Sequence, residues 1–119
     1  LPFTIFVSTG PVKSNSKNYM NWEQIKEMAN RGVTIGHHTK NHLHLVTEEK
    51  EKIISEIEEA NNDFLKNLGY VPDIFAYPYG ETNEMIIEKL QDYKFKVAFG
   101  QHSGVINETS NLYFLNPSA

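Results

Sequence analysis

Short continuous apolar runs alternate along the chain with longer segments in which apolar residues recur at helical spacing. The first apolar run, at residues 1–7, is rich in β-branched and aromatic side chains and precedes a Ser-Thr-Gly-Pro sequence. It predicts a strand followed by a loop. Similar runs predict three more strands: one begins at Val33, the next lies at residues 73–77, and the last lies at residues 95–100.

Segments with helical spacing separate the four predicted strands. Asn21 is the predicted N-cap of the first helix, where Gln24 completes a capping-box pair. Thr47 is the predicted N-cap of a second, longer helix that ends at Gly69, and a third helix is predicted over residues 83–93. Strands and helices therefore alternate along most of the sequence.

This alternation predicts an α/β fold in which right-handed crossovers build a parallel sheet, either open or closed like a barrel. In such folds the functional site lies at the carboxyl ends of the strands. Those ends carry four polar segments, at residues 8–10, 37–42, 78–80 and 100–102. We therefore expect the histidines of the second segment, the Pro-Tyr-Gly sequence of the third and His102 of the fourth to share one edge of the sheet.

Length and composition restrict the classes of function. A chain of 119 residues with 39% hydrophobic residues predicts one domain with a packed core. A net charge of −4 without a basic run argues against nucleic acid or an anionic membrane as partner, and no apolar run approaches the ~18 residues of a membrane span. Without cysteine, the chain has no disulfides, thiolate nucleophiles or sulfur ligands. Because the sequence starts within a predicted strand, we expect residues 1–119 to be a single, incomplete domain of a longer protein.

Four of the five histidines lie in the sequence IGHHTKNHLHL, at residues 35–45. Neutral imidazole is a common zinc ligand, and His38 and His42 have the spacing that places two side chains on one face of a helical turn. On spacing alone, His37 and His44 are alternative ligands. A catalytic zinc site needs three protein ligands, so the histidines also fit a polar loop without a metal.

The Tyr-Pro-Tyr-Gly sequence after the third strand has two interpretations. Pro78 can end the strand while Gly80 supplies a turn with positive φ. Alternatively, the backbone N–H of Tyr79 faces the site and helps to stabilise an oxyanion. His102 follows the fourth strand, where a single histidine is more often structural or solvated.

These motifs resemble those of the NodB-homology polysaccharide deacetylases, carbohydrate esterase family four. The histidine segment is similar to the family's His-[Ser/Thr]-x-x-His motif, and FAYPYG is similar to its Arg-x-Pro-Tyr-Gly motif, in a form that resembles the poly-N-acetylglucosamine deacetylase branch. The sequence LPFTIFV resembles the strand that follows the family's first motif. The resemblance covers most of the sequence and implies that the chain is the central part of a distorted (β/α) barrel.

The resemblance implies a divalent metal, preferably zinc or else a cobalt-like ion, with His38 and His42 as two of its ligands. Thr39 would orient this loop by hydrogen bonding. The implied reaction is the metal-dependent hydrolysis of N-acetyl, or sometimes O-acetyl, groups on a polysaccharide. A cell-envelope or extracellular location is suggested by the family alone.

The resemblance also implies roles for the Pro-Tyr-Gly segment. The backbone amide of Tyr79 would stabilise the oxyanion of the tetrahedral intermediate. The side chains of Tyr77 and Pro78 would shape the wall of the sugar pocket. Tyr77, Pro78 and Tyr79 are therefore the candidate substrate-binding residues.

Other family motifs have no counterpart in the sequence. The Thr-Phe-Asp-Asp motif, which supplies the catalytic base and an aspartate ligand, would precede it, and the Leu-x-His motif that supplies the general acid would follow it. Ala76 stands where the family usually has arginine. Asp63, Asp73 and Asp92 are predicted in or beside helices or before a strand, so none of them is expected at the edge of the sheet that carries the histidines.

Two other functions are open at this point. One is a non-catalytic glycan-binding or structural domain of the same fold, and the other is hydrolysis of small cyclic amides, which some relatives carry out. We expect the chain alone to be inactive, because it lacks the base and the acid. We also expect self-association through the edge of the strand at residues 1–7, which a preceding strand would otherwise cover.

Overall fold

Within the part of the chain that the structure describes, four parallel strands build one sheet. The computed structural model describes residues 4–13 and 20–100. In spatial order the strands are β1 (Thr4–Val7), β2 (Thr34–His37), β3 (Ile74–Ala76) and β4 (Val97–Phe99). Each strand pairs in parallel with the next one along the chain, with Phe6 opposite Gly36 in the first pair. The predicted α/β class with a parallel sheet is confirmed.

Helices connect consecutive strands, as the spacing of apolar residues predicts. The α-helices are α1 (Thr9–Lys13), α2 (Trp22–Asn30), α3 (Lys50–Leu68) and α4 (Glu84–Asp92), and short 3₁₀ turns lie at Leu45–Thr47 and Pro78–Gly80. Helix α1 lies where the sequence predicts only a loop. Among the described residues, no helix has the length and hydrophobicity needed to cross a membrane.

Several helix ends follow the expected signals. The Asn21 side chain accepts a hydrogen bond of 2.9 Å from Gln24 N, and the Gln24 side chain accepts one of 2.9 Å from Asn21 N, which is the predicted capping box. Gly69 ends α3 with a left-handed φ of 83°. Asn83 caps α4 by accepting a hydrogen bond from Ile86 N. Local sequence therefore determines where α2 and α4 begin and where α3 ends.

The predicted start of α3 at Thr47 is wrong. Thr47 lies in a 3₁₀ turn, where its hydroxyl donates to the carbonyl of His44 at 2.9 Å. A hydroxyl used in this way is not free to cap a helix, and buried Leu45 anchors the turn in the core. The helix therefore begins only at Lys50, with Glu49 at its N-cap.

Among the described residues, buried apolar side chains form two clusters, and α3 contributes to both. One cluster joins α3 and α4 to β3 and β4 through Leu45, Ile53, Ile57, Phe75, Tyr77, Ile86, Leu90, Phe95 and Ala98. The other joins α1, α2 and α3 to β1 and β2 through Val7, Val12, Ile25, Ile35, Ala60 and Phe64. Each large side chain in these clusters contributes about 1.5–3 kcal/mol by leaving water. Helix α3 is therefore held along its length, which limits how far its side chains can move.

Candidate functional site

The segment that follows β2 packs directly on the segment that follows β1. We call residues 38–44 the histidine loop. The hydroxyl of Ser8 donates to the carbonyl of His38 at 2.6 Å, and the N–H of Thr9 donates to the carbonyl of Thr39 at 3.2 Å. The carboxyl ends of β1 and β2 thus meet at one edge, as the parallel topology requires.

The imidazoles of His38 and His42 lie side by side, with ring centroids 4.5 Å apart. The expectation that a helical turn brings them together is wrong, because Thr39 and His42 have left-handed φ angles of 64° and 58°. Left-handed geometry costs a non-glycine residue roughly 1–2 kcal/mol. The Thr39 hydroxyl accepts a hydrogen bond of 3.1 Å from His42 N, which ties the two left-handed residues together.

One hydrogen bond determines which nitrogen of His38 carries the proton. Nδ1 of His38 lies 2.8 Å from the carbonyl oxygen of Ala76 at the end of β3. A carbonyl oxygen only accepts, so Nδ1 must donate, and Nε2 keeps a lone pair that can bind a metal. Burial lowers the pKa of His38, and the nearby His42 lowers it further, although the Ala76 contact opposes this. Burial also lowers the pKa of His42, with a smaller effect from His44. Both imidazoles are therefore neutral at pH 7, the form that binds metals.

His37 belongs to the core. It is fully buried, its Nδ1 accepts a hydrogen bond of 3.1 Å from Thr39 N, and its Nε2 lies 3.4 Å from the carbonyl oxygen of Ile57. Aromatic rings surround it at centroid distances of 5.2 to 5.3 Å, from Phe64, Phe75 and Phe95. Burial lowers the pKa of His37 to about 3. Because both ring nitrogens face partners inside the fold, His37 is not placed to bind a metal beside His38.

The imidazole of His44 stacks on the ring of Tyr79. The two rings stack at 3.6 Å with an angle of 10° between their planes, and His44 Nδ1 lies 2.9 Å from a carboxylate oxygen of Glu81. The ring of Tyr79 is also 4.6 Å from that of His42. The ring of Tyr79 therefore contacts both His42 and His44, and the described side-chain partners of His44 are Tyr79 and Glu81.

The Pro-Tyr-Gly segment makes a tight turn beside the pair. Gly80 has the expected positive φ of 70°, and Tyr79 has an unexpected one of 60°. Among the described residues, no hydrogen bond uses the backbone N–H of Tyr79. Tyr77 is buried in the core and donates its N–H to the carbonyl of Phe99 at 3.0 Å. The turn thus leaves the Tyr79 N–H free to bind another group.

A cavity of about 490 Å³ lies beside the histidine pair. Its wall is formed by Phe6, His38, His42, Ala76, Tyr77, Tyr79, Gly80 and Gly100. Pro78 is buried and is not among these lining residues. A second, more apolar cavity of about 270 Å³ shares Phe6, His38 and His42 and extends along β1 and α2. The histidine pair therefore lies where the two cavities meet.

A family assignment follows from comparison with known proteins. The sequence model that describes polysaccharide deacetylases matches residues 1–98. The chain belongs to this family. YxkH of Bacillus subtilis (strain 168), which its name places among the polysaccharide deacetylases, is 26% identical over 100 residues, or 84% of this chain and 36% of YxkH. The family predicted from the histidine and Pro-Tyr-Gly motifs is confirmed.

Two solved structures share the fold of this polysaccharide deacetylase chain. Streptococcus pyogenes deacetylase PplD, in complex with acetate, matches with a TM-score of 0.85 and 24% identity over 92% of this chain and 48% of PplD. IcaB from Ammonifex degensii matches with a TM-score of 0.75 and 27% identity over 84% of this chain and 48% of IcaB. The predicted fold, part of a (β/α) barrel of the polysaccharide deacetylase type, is confirmed. The chain spans about half the length of these two structures and 36% of YxkH.

The described part of this polysaccharide deacetylase chain supplies two metal-ligand candidates at the site. No group of three histidine, aspartate or glutamate side chains within residues 4–13 and 20–100 could hold a metal ion. Asp73 pairs with Lys96 and Asp92 pairs with Lys89, while His102 lies outside the described residues. The donor set therefore fits two imidazole ligands of a site that takes its remaining ligands from elsewhere.

Three acidic residues of α3 contact this edge of the sheet, Glu56, Glu59 and Asp63, although the sequence analysis did not place them there. Glu56 is buried, and its two carboxylate oxygens accept hydrogen bonds from Asn41 N and Nδ2 at 2.8 and 2.7 Å. Asp63 accepts a hydrogen bond of 2.8 Å from the hydroxyl of Thr9, so the expectation that it lies away from this edge is wrong. A signal for Glu56 was present, because it falls in the apolar stripe of α3 next to Ile57.

Proposed function

We propose that this chain contributes two metal ligands and an oxyanion donor to a metal-dependent polysaccharide deacetylase. One observation carries the proposal: the contact between His38 Nδ1 and the Ala76 carbonyl leaves Nε2 as an acceptor next to the ring of His42. A backbone partner of this kind is the usual way in which a metal-binding histidine is oriented. His38 and His42 would therefore hold the ion.

Zinc is the proposed metal. Neutral imidazoles suit zinc, and the chain has no cysteine that would favour a purely structural thiolate site. A bound zinc ion supplies an activated water and polarises a carbonyl group. A catalytic zinc site has three protein ligands, so the third must come from outside the described residues.

The proposed reaction is hydrolysis of an N-acetyl, or in some substrates O-acetyl, group. Water adds to the acetyl carbonyl, the bond to the sugar nitrogen or oxygen breaks, and acetate leaves. The N–H of Tyr79 would donate to the oxygen on which negative charge develops, a contribution of about 3–4 kcal/mol in other enzymes. The stacked ring of His44 and the buried position of Tyr77 hold the turn that presents this N–H.

The proposed substrate is an N-acetylated sugar polymer, with poly-N-acetylglucosamine as the first candidate. The cavity of about 490 Å³ is within the range of small-molecule sites, and Tyr77 and Tyr79 are among its lining residues. Tyr77 is buried with the core, so Tyr79 is the residue whose ring can pack against the apolar face of a sugar. Tyr79 is 45% exposed, so its ring can contact a polymer that extends beyond the cavity.

The test combines zinc calorimetry with a deacetylation assay on the protein that contains this chain. We expect His38→Ala and His42→Ala each to weaken zinc binding by at least about 100-fold, since each removes a ligand. Both should also abolish acetate release from an N-acetylglucosamine oligomer. His44→Ala is the matched control for calorimetry, because His44 is close in sequence but contacts Tyr79 and Glu81.

Three outcomes would contradict the proposal. Equal zinc affinity in all three variants would show that the pair is not a metal site. Zinc and glycan binding without acetate release would identify a non-catalytic domain of the same fold. Hydrolysis of small cyclic amides in preference to acetylated sugars would assign a different reaction to the same residues.

A further inference from the structure

We propose that Glu56, on α3, is a positioning residue that holds the histidine loop in the conformation that brings His42 beside His38. Its effect on metal binding rests on the proposed function. Its effect on the histidine rings does not, because those rings can be observed without a metal. Nothing in the family motifs described above includes this glutamate.

The contacts of Glu56 are both directed at one residue of the loop. Oε1 accepts a hydrogen bond from Asn41 N at 2.8 Å, and Oε2 accepts one from Asn41 Nδ2 at 2.7 Å. The side chain is 1% exposed, so water cannot replace either bond. Hydrogen bonds to a carboxylate are about twice as strong as neutral ones, and a buried carboxylate without partners would be very costly. Glu56 is therefore stable in the core only when Asn41 keeps its position.

Asn41 is the residue that immediately precedes His42. The loop contains two left-handed non-glycine residues, Thr39 and His42, each of which would gain roughly 1–2 kcal/mol by returning to a right-handed conformation. Such a return at His42 would turn its imidazole away from His38. Because Glu56 fixes both the main chain and the side chain of Asn41, it opposes this rotation directly.

Helix α1 holds the other side of the same loop. The N–H of Gly10 donates to the carbonyl of Lys40 at 2.7 Å. A Cβ at Gly10 would lie 2.7 Å from both Lys40 O and Asn41 Oδ1, so only glycine allows α1 to approach the loop this closely. The loop thus lies between α1 and α3, and within the described residues Glu56 is the only charged side chain that accepts a hydrogen bond from the loop backbone.

Glu56 is placed to act through the loop rather than on substrate. Both of its oxygens are used by Asn41, and it is not among the residues that line the two cavities beside the histidine pair. Glu59 is three residues further along the same helix. It is exposed and bonds the side chain of Lys40, not the loop backbone. Glu59 is therefore the matched control for loss of a carboxylate that faces this loop.

A swap of hydrogen-bonding groups tests the proposal. Glu56→Gln places an amide NH₂ against one of the two donors of Asn41, and Asn41→Asp places two carboxylates together, so each should weaken zinc binding by about 10- to 100-fold. In the double variant, the Gln oxygen accepts from the backbone N–H of residue 41 while its NH₂ donates to the new aspartate. We expect this variant to recover zinc affinity to within about threefold, and Glu59→Gln to keep it.

The same variants are compared without metal, by NMR of the histidine imidazoles in the protein that contains this chain, with circular dichroism as the check on folding. We expect the resonances of the His42 ring to shift in Glu56→Gln and to return in the double variant. If Glu56→Gln does not fold, Asn41→Ala replaces it, because it removes the bond to Oε2 and keeps the bond from Asn41 N.

The results distinguish failure of this proposal from failure of the proposed function. If the wild-type protein binds no zinc but the His42 resonances respond as expected, the proposed function fails and the role of Glu56 stands. If folded Glu56→Gln, or Asn41→Ala in its place, keeps wild-type zinc affinity and unchanged His42 resonances, Glu56 only stabilises α3 and the proposal is overturned. Failure of the double variant to recover either property overturns it as well.

Discussion

Protonation of His37 should make the folded state sensitive to mild acid. The imidazole is fully buried among aromatic rings, and burial lowers its pKa to about 3. In the unfolded chain a histidine has a pKa of about 6.5. Between these two values the unfolded state binds one more proton than the folded state, so the free energy of unfolding falls as the pH falls.

The magnitude follows from the difference between the two pKa values. Each pH unit inside this window corresponds to about 1.4 kcal/mol, so the whole window is equivalent to about 5 kcal/mol. Between pH 7 and pH 5 the expected loss from His37 alone is about 2 kcal/mol, because the unfolded chain becomes mostly protonated over that interval while the folded one stays neutral. This is a large share of the ~5–15 kcal/mol that stabilises a typical domain.

The variant His37→Gln removes the titrating group and offers one acceptor and one donor in place of the ring nitrogens. The Gln oxygen can accept from Thr39 N, and its NH₂ can donate to the carbonyl of Ile57. The variant will be less stable than wild type at pH 7, but its stability should depend less on pH. All carboxylates and the other histidines are common to both proteins, so their contributions cancel in the difference.

Urea titrations at pH 7 and pH 5, with a chelator present, measure the effect. Trp22 is the single tryptophan and packs edge-on against Phe64 at 5.8 Å, so its fluorescence reports loss of the core next to α3. The loss of stability between pH 7 and pH 5 should be about 2 kcal/mol greater in wild type than in His37→Gln. If both proteins lose the same amount, the buried imidazole is not neutral in the folded state and the reasoning is refuted.

Two further predictions concern the stability of the fold and are measured by the same titration. Gly36→Ala should destabilise the fold by about 1–3 kcal/mol, because the new methyl group would overlap the ring of Phe6 across the β1–β2 pair. The loss should be smaller in a Phe6→Ala background, and equal losses in both backgrounds would contradict the overlap. Asn21→Ala should cost about 1 kcal/mol by removing the capping box of α2, whereas Asn30→Ala at the other end of that helix should cost less than about 0.5 kcal/mol; equal effects would rule out the cap as the cause.

The parts of the fold that could be predicted from sequence are those that local patterns determine. Apolar spacing indicated the strands and the three long helices, because these elements bury one face against a sheet. Helix α1 was missed because it is short and has no apolar period of its own. Its first N–H groups donate to carbonyls of Thr39 and Lys40, some 30 residues further along the chain, and no local rule contains that information.

In the candidate site, too, some features could be predicted from local sequence, and others depend on residues far apart in the chain. Motif similarity selected His38 and His42, but spacing alone suggested a helical turn, whereas tertiary contacts hold a loop with two left-handed residues. His37 could have been assigned to the core, because strand alternation places it on the same face as Ile35, and both are buried. The stacking of His44 on Tyr79 joins positions far apart in the sequence and had no sequence signal.

The contact between His38 and residue 76 also bears on how this site can evolve. The group that receives the proton of His38 Nδ1 is a main-chain carbonyl, which every amino acid has. A change of side chain at residue 76 therefore leaves the proton acceptor of His38 in place. The tautomer of this histidine is set by the path of the main chain at the end of β3, while the side chain at the same position can change the wall of the cavity independently.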